Sequence, residues 1–214
     1  MSTVVIVLVC AAPIVGLLVF LGSHQIRRER QAMRDFAALI DDGAVAGRRV
    51  TGRWKGVNVS IGFFGRVEPY VFLTAVAAAR QSSPFVALML PRGDRSPSRP
   101  EPPPDAPDWI VALDRKYDAD CAPVEMFRIV FDEDTARLLA RLSETEIEIL
   151  PTQVNIQQRE ILYEADALRP LLDTARQLAA RLDAVHGLLV GATPADQEQR
   201  EREVVQFLRR FQRV

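Results

Sequence analysis

The sequence predicts an α+β protein in which an N-terminal transmembrane helix precedes a mostly antiparallel β-sheet domain with packed amphipathic helices. Three observations lead to this fold class. An uncharged apolar run opens the chain, short β-type segments follow one another with few helices between them, and a long amphipathic helix comes after them. Strands without a regular βαβ alternation favour an antiparallel sheet, so a parallel nucleotide-binding sheet is not expected.

The apolar run extends from Thr3 to Leu21 and contains no charged residue. As a helix it would be roughly 28 Å long, close to the ~30 Å hydrocarbon core of a bilayer. A cleaved signal peptide would begin with basic residues, which the first three positions lack. The run therefore predicts a single-pass signal anchor, and its Pro13 and Gly16 are tolerated in such a helix.

The charges beside this run predict its orientation. Four arginines follow it and no basic residue precedes it: Arg27, Arg28, Arg30 and Arg34. By the positive-inside rule, the remainder of the chain should lie in the cytoplasm and the N-terminus outside. Lys55 and Lys116 are the only lysines among 27 basic residues, which together with many alanines suggests a GC-rich bacterial genome. We therefore expect a bacterial inner-membrane protein.

The chain divides into four predicted segments. They are an anchor at 1–22, a juxtamembrane helix at 23–43, an α+β cytoplasmic domain at 44–186, and a linker with a C-terminal helix at 187–214. The juxtamembrane helix, Ser23–Asp41, has apolar residues at helical spacing, and Gly43 is expected to stop it. Its apolar side could pack on the domain or on another copy of the chain.

Nine segments carry strand signals, and we expect a sheet of seven or eight strands from them. Arg49–Trp54 and Val57–Ile61 flank Lys55-Gly56, and this arrangement predicts a β-hairpin. Further strands are expected at Tyr70–Ala78, Phe85–Leu90, Trp109–Leu113, Met126–Phe131, Glu146–Leu150, Thr152–Ile156 and Glu160–Tyr163.

Three helices are predicted after the middle of the chain. Asp132 opens the first, which runs to about Leu142, with acids at its positive end. The second presents apolar residues on one face from Leu168 to Val185. The third begins at Thr193-Pro194 and runs to about Gln212. Residues Pro91 to Pro107 are rich in proline and predict an exposed loop, either a spacer or a ligand for partner domains.

The sequence contains few residues that could form a catalytic or metal centre. The two histidines, His24 and His186, and the two cysteines, Cys10 and Cys121, form no metal-ligand pattern. We expect no disulfide, because Cys10 lies inside the apolar run. A catalytic pair of Cys121 and His186 is an alternative that no motif supports. The segment 52–56, GRWKG, contains glycines and a lysine but predicts a hairpin turn rather than a phosphate-binding loop.

Two clusters of charged residues are the other candidate binding sites in the sequence. Asp114, Asp118 and Asp120 could together hold Ca²⁺ or Mg²⁺, but Arg115 and Lys116 lie among them and the spacing is not that of an EF-hand. We interpret this cluster as a solvated loop between strands. Basic residues also end the C-terminal helix, at positions 209, 210 and 213 (Arg209, Arg210 and Arg213). That helix could contact a membrane or a partner, or it could pack on its own domain.

The order of these features resembles that of uncharacterised bacterial membrane-anchored proteins with a domain of unknown function. The resemblance rests on the span, the basic helix, the segment 51–60 (TGRWKGVNVS), the strand Tyr70–Ala78, and Lys116-Tyr117-Asp118 leading to Met126–Phe131 and a helix. It covers most of residues 1–185. It implies a tethered domain but no activity for any residue.

The net charge, the apolar run and the lack of a catalytic motif together lead to an expected function. The formal net charge of -1 gives no general attraction to nucleic acid. We expect a membrane-tethered cytoplasmic binding or interaction domain, which contacts the bilayer through Thr3 to Leu21 and binds a protein partner or a second copy. The alternatives are an enzyme whose residues are dispersed in sequence and an anionic-lipid-binding domain. We assign no catalytic, cofactor-binding or metal-binding residue.

Overall fold

The strands of this protein form one eight-stranded sheet in the order β1-β2-β3-β4-β8-β7-β5-β6. The computed structural model describes residues 23–66, 71–92, 106–142, 144–190 and 193–211. Each neighbouring pair of strands is antiparallel. The strands are β1 (Asp41–Ala46), β2 (Arg49–Trp54), β3 (Val57–Arg66), β4 (Val71–Ala79), β5 (Val86–Pro91), β6 (Tyr117–Ala122), β7 (Thr145–Leu150) and β8 (Gln153–Gln158). The antiparallel α+β part of the predicted fold class is confirmed.

Seven α-helices lie in the described parts of the chain. They are α1 (23–39), α2 (Asp108–Lys116), α3 (Phe127–Val130), α4 (Glu133–Ala140), α5 (Ala165–Ala184), α6 (His186–Val190) and α7 (Pro194–Phe211). A short 3₁₀ helix, Val124–Met126, precedes α3. The predicted helices at 132–142, 168–185 and 193–212 correspond to α4, α5 and α7.

The predicted transmembrane helix is corrected by the structure. No helix in the described ranges is long and apolar enough to cross a membrane. The longest of them, α5 and α7, carry charged residues on the side away from the sheet, such as Asp166 and Glu198. The transmembrane part of the predicted fold class, the single-pass signal anchor and the inner-membrane localisation are therefore wrong for the protein as described. The run Thr3–Leu21 itself lies outside the described residues.

Helix α1 packs on its own domain, which was one of the two arrangements that the sequence allowed. Met33 and Phe36 are buried in the main core, and the ring of Phe36 meets the ring of Phe63 edge-on at 5.9 Å. The predicted stop at Gly43 is wrong, because the helix ends at residue 39 and Gly43 lies inside β1. A Cβ at Gly43 would come within 2.0 Å of the carbonyl oxygen of Ala37, so this strand can pass the helix only with glycine there.

The predicted hairpin is confirmed as β2 and β3. Lys55 and Gly56 form its two-residue turn, with φ angles of 49° and 86°. Two successive positive φ angles match the right-handed twist of the flanking strands, and glycine adopts such an angle without steric cost. The turn thereby fixes the register in which Trp54 pairs with Val57.

The two faces of the sheet are covered unequally. On the helical face, defined as the side against α1 to α5, alternate strand residues such as Val76 and Ile156 are fully buried. Helix α5 contacts β4 and β8 there with Leu172 and Leu178 buried. On the opposite side, α7 contacts the edge strand β6, and Phe207 packs against Val86 in a smaller second core.

Several strand assignments from the sequence are wrong. Trp109–Leu113 belongs to α2, and Met126–Phe131 is a 3₁₀ helix followed by α3. Glu160–Tyr163 is not a strand, and the predicted acidic loop at 117–122 is the edge strand β6. A short apolar run fits a helix as well as a strand, and only its tertiary neighbours decide between them.

A buried arginine joins the connection after β4 to the end of β7. Arg80 is 8% exposed, and its guanidinium donates to the carbonyl oxygen of Leu150 at 2.7 Å and to that of Phe85 at 2.8 Å. It also donates to the hydroxyl of Ser83. Burial lowers the pKa of Arg80 to about 10, and the nearby carboxylate of Asp183 partly opposes this. Arg80 therefore satisfies backbone acceptors that have lost contact with water.

We expect Arg80→Ala to lower the free energy of unfolding by about 3 kcal/mol, because it leaves buried carbonyl groups without a donor. Arg80→Lys should lower the free energy of unfolding by less, because an ammonium group still donates to some of these acceptors, although to fewer than a guanidinium does. Urea unfolding at neutral pH measures both losses. An alanine variant as stable as the wild type would contradict this structural role.

A second polar contact holds the β2–β3 turn against α5. One oxygen of Asp173 accepts from the indole nitrogen of Trp54 at 2.9 Å and from the ammonium group of Lys55 at 2.7 Å. Burial favours the neutral acid. These hydrogen bonds, with the charges of Lys55 and Arg176, outweigh it and lower the pKa of Asp173. The folded state therefore prefers the charged carboxylate.

Asp173 should accordingly stabilise the fold at neutral pH and lose this effect in acid. Its folded pKa lies below the unfolded value of about 4, so the contribution is present above about pH 4 and is lost as the pH falls through the folded pKa. We expect the stability difference between wild type and Asp173→Asn to shrink as the pH falls. Urea unfolding at pH values on both sides of about 4 measures it; a constant difference would contradict the assignment.

Candidate functional site

A cavity of about 380 Å³ lies between α2, β6 and α3 on the helical face of the sheet. Met89, Leu113 and Tyr117 form buried walls, while Val124 stands 71% exposed at the mouth. We call this cavity the α2–β6 pocket. Its lining residues are Met89, Ile110, Leu113, Asp114, Tyr117, Ala119, Asp120, Cys121, Val124, Glu125, Phe127 and Arg128.

Local geometry brings these residues together. In α2, positions 110, 113 and 114 are three and four residues apart, so their side chains share one face of the helix. In β6, Tyr117, Ala119 and Cys121 alternate along the strand and therefore point to the same face of the sheet. Ala119 pairs with Met89 of β5, which places the middle of β6 over a buried apolar neighbour.

Of the three aspartates that the sequence singled out, Asp114 and Asp120 line the pocket and Asp118 does not. Asp118 and Asp120 alternate with Tyr117, so their side chains leave β6 on the opposite face of the sheet. Asp120 borders the pocket and pairs with Leu88 across the strands. No group of three or more His, Cys, Asp or Glu residues suited to a metal ion occurs among residues that the structure describes.

Arg92 organises two of these carboxylates. Its guanidinium lies 3.5 Å from a carboxylate oxygen of Asp114 and 3.6 Å from one of Asp118, and it donates to the backbone oxygen of Asp114 at 2.8 Å. The predicted solvated loop is thus the end of α2 followed by the edge strand β6, and the arginine after β5 pairs with two of its three carboxylates. At the mouth, Glu125 and Arg128 contribute one charge of each sign, and Asp114 and Asp120 make the lining acidic overall.

The floor of the pocket is fixed to the end of α4. Lys116 donates to the carbonyl oxygens of Ala140, at 2.7 Å, and Leu142, and burial lowers its pKa. The hydroxyl of Tyr117 donates to the carbonyl oxygen of Leu139 at 3.4 Å, and burial raises the pKa of Tyr117 to about 12. Both groups use polar ends to cap a helix while the phenol ring forms an apolar wall.

The remaining candidates from the sequence lie apart. Cys121 is buried in the pocket wall, whereas His186 begins α6 and does not line the pocket, so the Cys121–His186 pair is not found at this site. His24 is exposed on α1, and Arg209 is exposed on α7. The segment 52–56 belongs to the hairpin, as predicted.

Other charged or unusual positions give no second site. Arg27, Arg30 and Arg34 are exposed on α1, and the guanidinium of Arg28 lies 4.3 Å from the centre of the Tyr163 ring. Cys10, Arg213 and most of the Pro-rich loop lie outside the described residues. The sequence missed the pocket because its walls come from four separate elements, β5, α2, β6 and α3, which only the tertiary structure brings together. The one available signal was the alternation of 117, 119 and 121.

Comparisons with known proteins do not name a family. No family model and no curated protein matches the chain. A solved structure with a similar arrangement is the mycobacterial trehalose monomycolate transport factor A, TtfA, with 12% sequence identity and a TM-score of 0.48. The match covers 72% of this chain and 95% of that chain. At this level of similarity it carries no conclusion about this chain.

We expect Tyr117→Phe to change the stability by less than about 1 kcal/mol at neutral pH, because the hydrogen bond that it removes is long. At high pH the free energy of unfolding of the variant should rise relative to that of the wild type. The unfolded phenol ionises near pH 10 and the folded one near 12, so the contribution of Tyr117 is lost as the pH rises between them. Urea unfolding at both ends of this interval measures the change; identical pH dependence would refute the burial of the phenol.

Proposed function

We propose that this protein is a non-enzymatic binding domain whose α2–β6 pocket takes a small, uncharged, apolar ligand. The observation that supports this most directly is the composition of the pocket. Most of its lining side chains are aliphatic or aromatic, and the cavity opens to solvent beside the exposed Val124. Sites for small molecules are typically concave, largely apolar cavities of this kind.

The size of the cavity agrees with this ligand class. Its volume of about 380 Å³ falls in the range of ~300–1,000 Å³ that is typical of ligand sites. It is more than twice the ~150 Å³ of an apolar cavity that binds benzene. The pocket thus has room for an extended hydrocarbon chain or for two fused rings.

The charges at the rim disfavour an anionic ligand. Among the lining residues Asp114, Asp120 and Glu125 are acidic and Arg128 is basic, and Asp114 is paired with Arg92. An anion would meet mainly like charges, and a cation would lose its hydration against the apolar walls, so an uncharged ligand fits best. Burial of apolar area, at about 25 cal/mol per Å², is then the main source of affinity.

Titration with N-phenyl-1-naphthylamine, an uncharged dye that fluoresces in apolar sites, tests this proposal. Ala119→Phe places a ring inside the pocket, and we expect it to weaken dye binding at least about tenfold, or ~1.4 kcal/mol. Ala112→Phe puts the same ring on the exposed side of α2 and should leave binding unchanged. Decanol should displace the dye from the wild type.

A second variant distinguishes a blocked pocket from a misfolded protein, which Ala119→Phe alone does not. Val124→Glu changes only the exposed mouth, so its melting temperature should match that of the wild type while dye binding weakens. Equal dye affinity in wild type, Ala119→Phe and Val124→Glu would show that the dye binds elsewhere and would overturn the proposal.

A further inference from the structure

The face of the sheet opposite α1 to α5 carries a polar trough. Among the described helices only α7 lies on this face, at the far edge against β5 and β6. Over β3 and β4, two hollows of about 440 Å³ and 460 Å³ adjoin each other and share Ser60, Ala77 and Gln153 as lining residues. Together they form one continuous trough along these strands, with β2 on one side and β8 on the other.

The floor of the trough is low because its residues are small, whereas the strands on either side carry long polar side chains. One register row shows this: Gly62 of β3 and Ala75 of β4 lie on the floor, between Arg49 of β2 and Gln157 of β8. The two outer strands are three strand spacings, or about 14 Å, apart. The row therefore has a guanidinium on one wall and an amide on the other.

The same arrangement repeats along the strands. Two residues further on, the next row contains Thr51 on one wall, Ser60 and Ala77 on the floor, and Asn155 on the other wall. Strand side chains alternate between the two faces, so rows on one face are about 7 Å apart. The trough thus presents hydrogen-bonding groups at regular intervals on both sides of a floor of small residues.

Several of these polar groups have no partner within the described chain. The side chains of Arg49, Ser60 and Gln157 make no hydrogen bond or ion pair with any residue that the structure describes. Arg49 is exposed, and the other two are half-buried. A guanidinium only donates, whereas a hydroxyl and an amide both donate and accept. A ligand that satisfies them together must itself carry many donors and acceptors close to one another.

An aromatic ring lies on the floor at one end of the trough. Phe64 is 44% exposed, and a Cβ at Gly62 would come within 2.9 Å of its ring. The absence of a side chain at Gly62 lets the ring lie low, in the row that also contains Arg49 and Gln157. The trough therefore offers a flat apolar surface in the midst of its polar groups.

We infer that this trough binds an oligosaccharide that carries an acidic group. A sugar ring has hydroxyl groups around its rim and an apolar C–H face, so it can stack on Phe64 while its hydroxyls meet the amides and hydroxyls of the walls. The ion pair of Arg53 with Asp42 leaves Arg49 as the unpaired charge among the lining residues. The planar guanidinium of Arg49 suits a carboxylate, which can accept two hydrogen bonds from it.

The charges around the trough argue against other ligand classes. One unpaired arginine is too little for a nucleic acid, whose binding depends on many phosphate contacts. Beyond the β8 wall, Glu148 accepts from the amide of Asn155 at 2.7 Å and would repel a second negative charge there. A wholly apolar chain would leave the polar walls without partners. A ligand rich in hydroxyls with its acid near β2 meets all three conditions.

Titration of the full-length chain with two tetrasaccharides that differ by one acidic group tests this inference. Aldotetraouronic acid carries one glucuronate on a xylotriose chain, and xylotetraose is its neutral counterpart. We expect the acidic tetrasaccharide to bind with a dissociation constant on the order of 1 mM or lower, at least about tenfold below that of the neutral one. Changes in amide chemical shifts measure the affinity and should map to β2, β3, β4 and β8.

Substitution of Arg49 tests the charge contact. Arg49→Gln should weaken binding of the acidic tetrasaccharide about tenfold and leave binding of the neutral one unchanged, so that the preference disappears. Arg27→Gln removes the same charge from the exposed side of α1 and should leave both affinities as in the wild type. A preference that persists in Arg49→Gln would overturn the assignment of the acid to this arginine.

A bulky residue on the floor tests the location. Ala77→Trp should abolish binding of both tetrasaccharides, whereas Ala38→Trp, on an exposed side of α1, should not. Phe64→Ala should weaken both tetrasaccharides equally without a change in melting temperature, because the ring is partly exposed. The inference is wrong if neither tetrasaccharide binds the wild type below about 10 mM, or if Ala77→Trp and Phe64→Ala both bind as the wild type does.

This test is independent of the α2–β6 pocket, which lies on the helical face. Arg49→Gln and Phe64→Ala should bind N-phenyl-1-naphthylamine as the wild type does. Ala119→Phe should lose dye binding and retain both tetrasaccharides. Failure of either ligand class therefore concerns one face of the sheet and leaves the other result intact.

Discussion

The packing of one apolar sheet face against α5 is the interaction on which the rest of the structure depends. Helix α5 crosses β4 and β8, the two central strands, and buries Leu168, Leu172 and Leu182 against them. Each such leucine contributes about 1.5–3 kcal/mol by leaving water. Because strand side chains alternate, this single contact decides which residues of all eight strands point inward.

The pocket and the largely uncovered second face of the sheet both follow from that packing. A helix as long as α5 covers the centre of the sheet, but β5 and β6 extend beyond it and are covered by the short helices α2 and α3. Short helices leave space between them, which forms the α2–β6 pocket. Among the described helices only α7 lies on the other face, at the same edge, so the side chains that β2, β3, β4 and β8 place there remain exposed or half-buried.

Polar groups then determine how firmly the connections are held. Arg80 satisfies carbonyl groups between β4 and β7, Asp173 holds the β2–β3 turn on α5, and Lys116 caps the end of α4. Each contact joins segments that are distant in sequence. A buried acceptor without a donor costs about 1–3 kcal/mol, so these few side chains stabilise connections that apolar packing alone does not fix.

The sequence by itself determined the elements with strong local signals: the Lys55-Gly56 hairpin, the helix opened by Asp132, and α5 with its apolar face. Periodicity and turn chemistry act over a few residues, so they are readable without the fold. Tertiary structure decided the rest. It made helices of Trp109–Leu113 and Met126–Phe131, made a strand of 117–122, and joined Asp114 and Asp118 through Arg92. The transmembrane helix that composition predicted has no counterpart among the described helices. The pocket comes from strand order, and strand order depends on long-range pairing that no local pattern encodes.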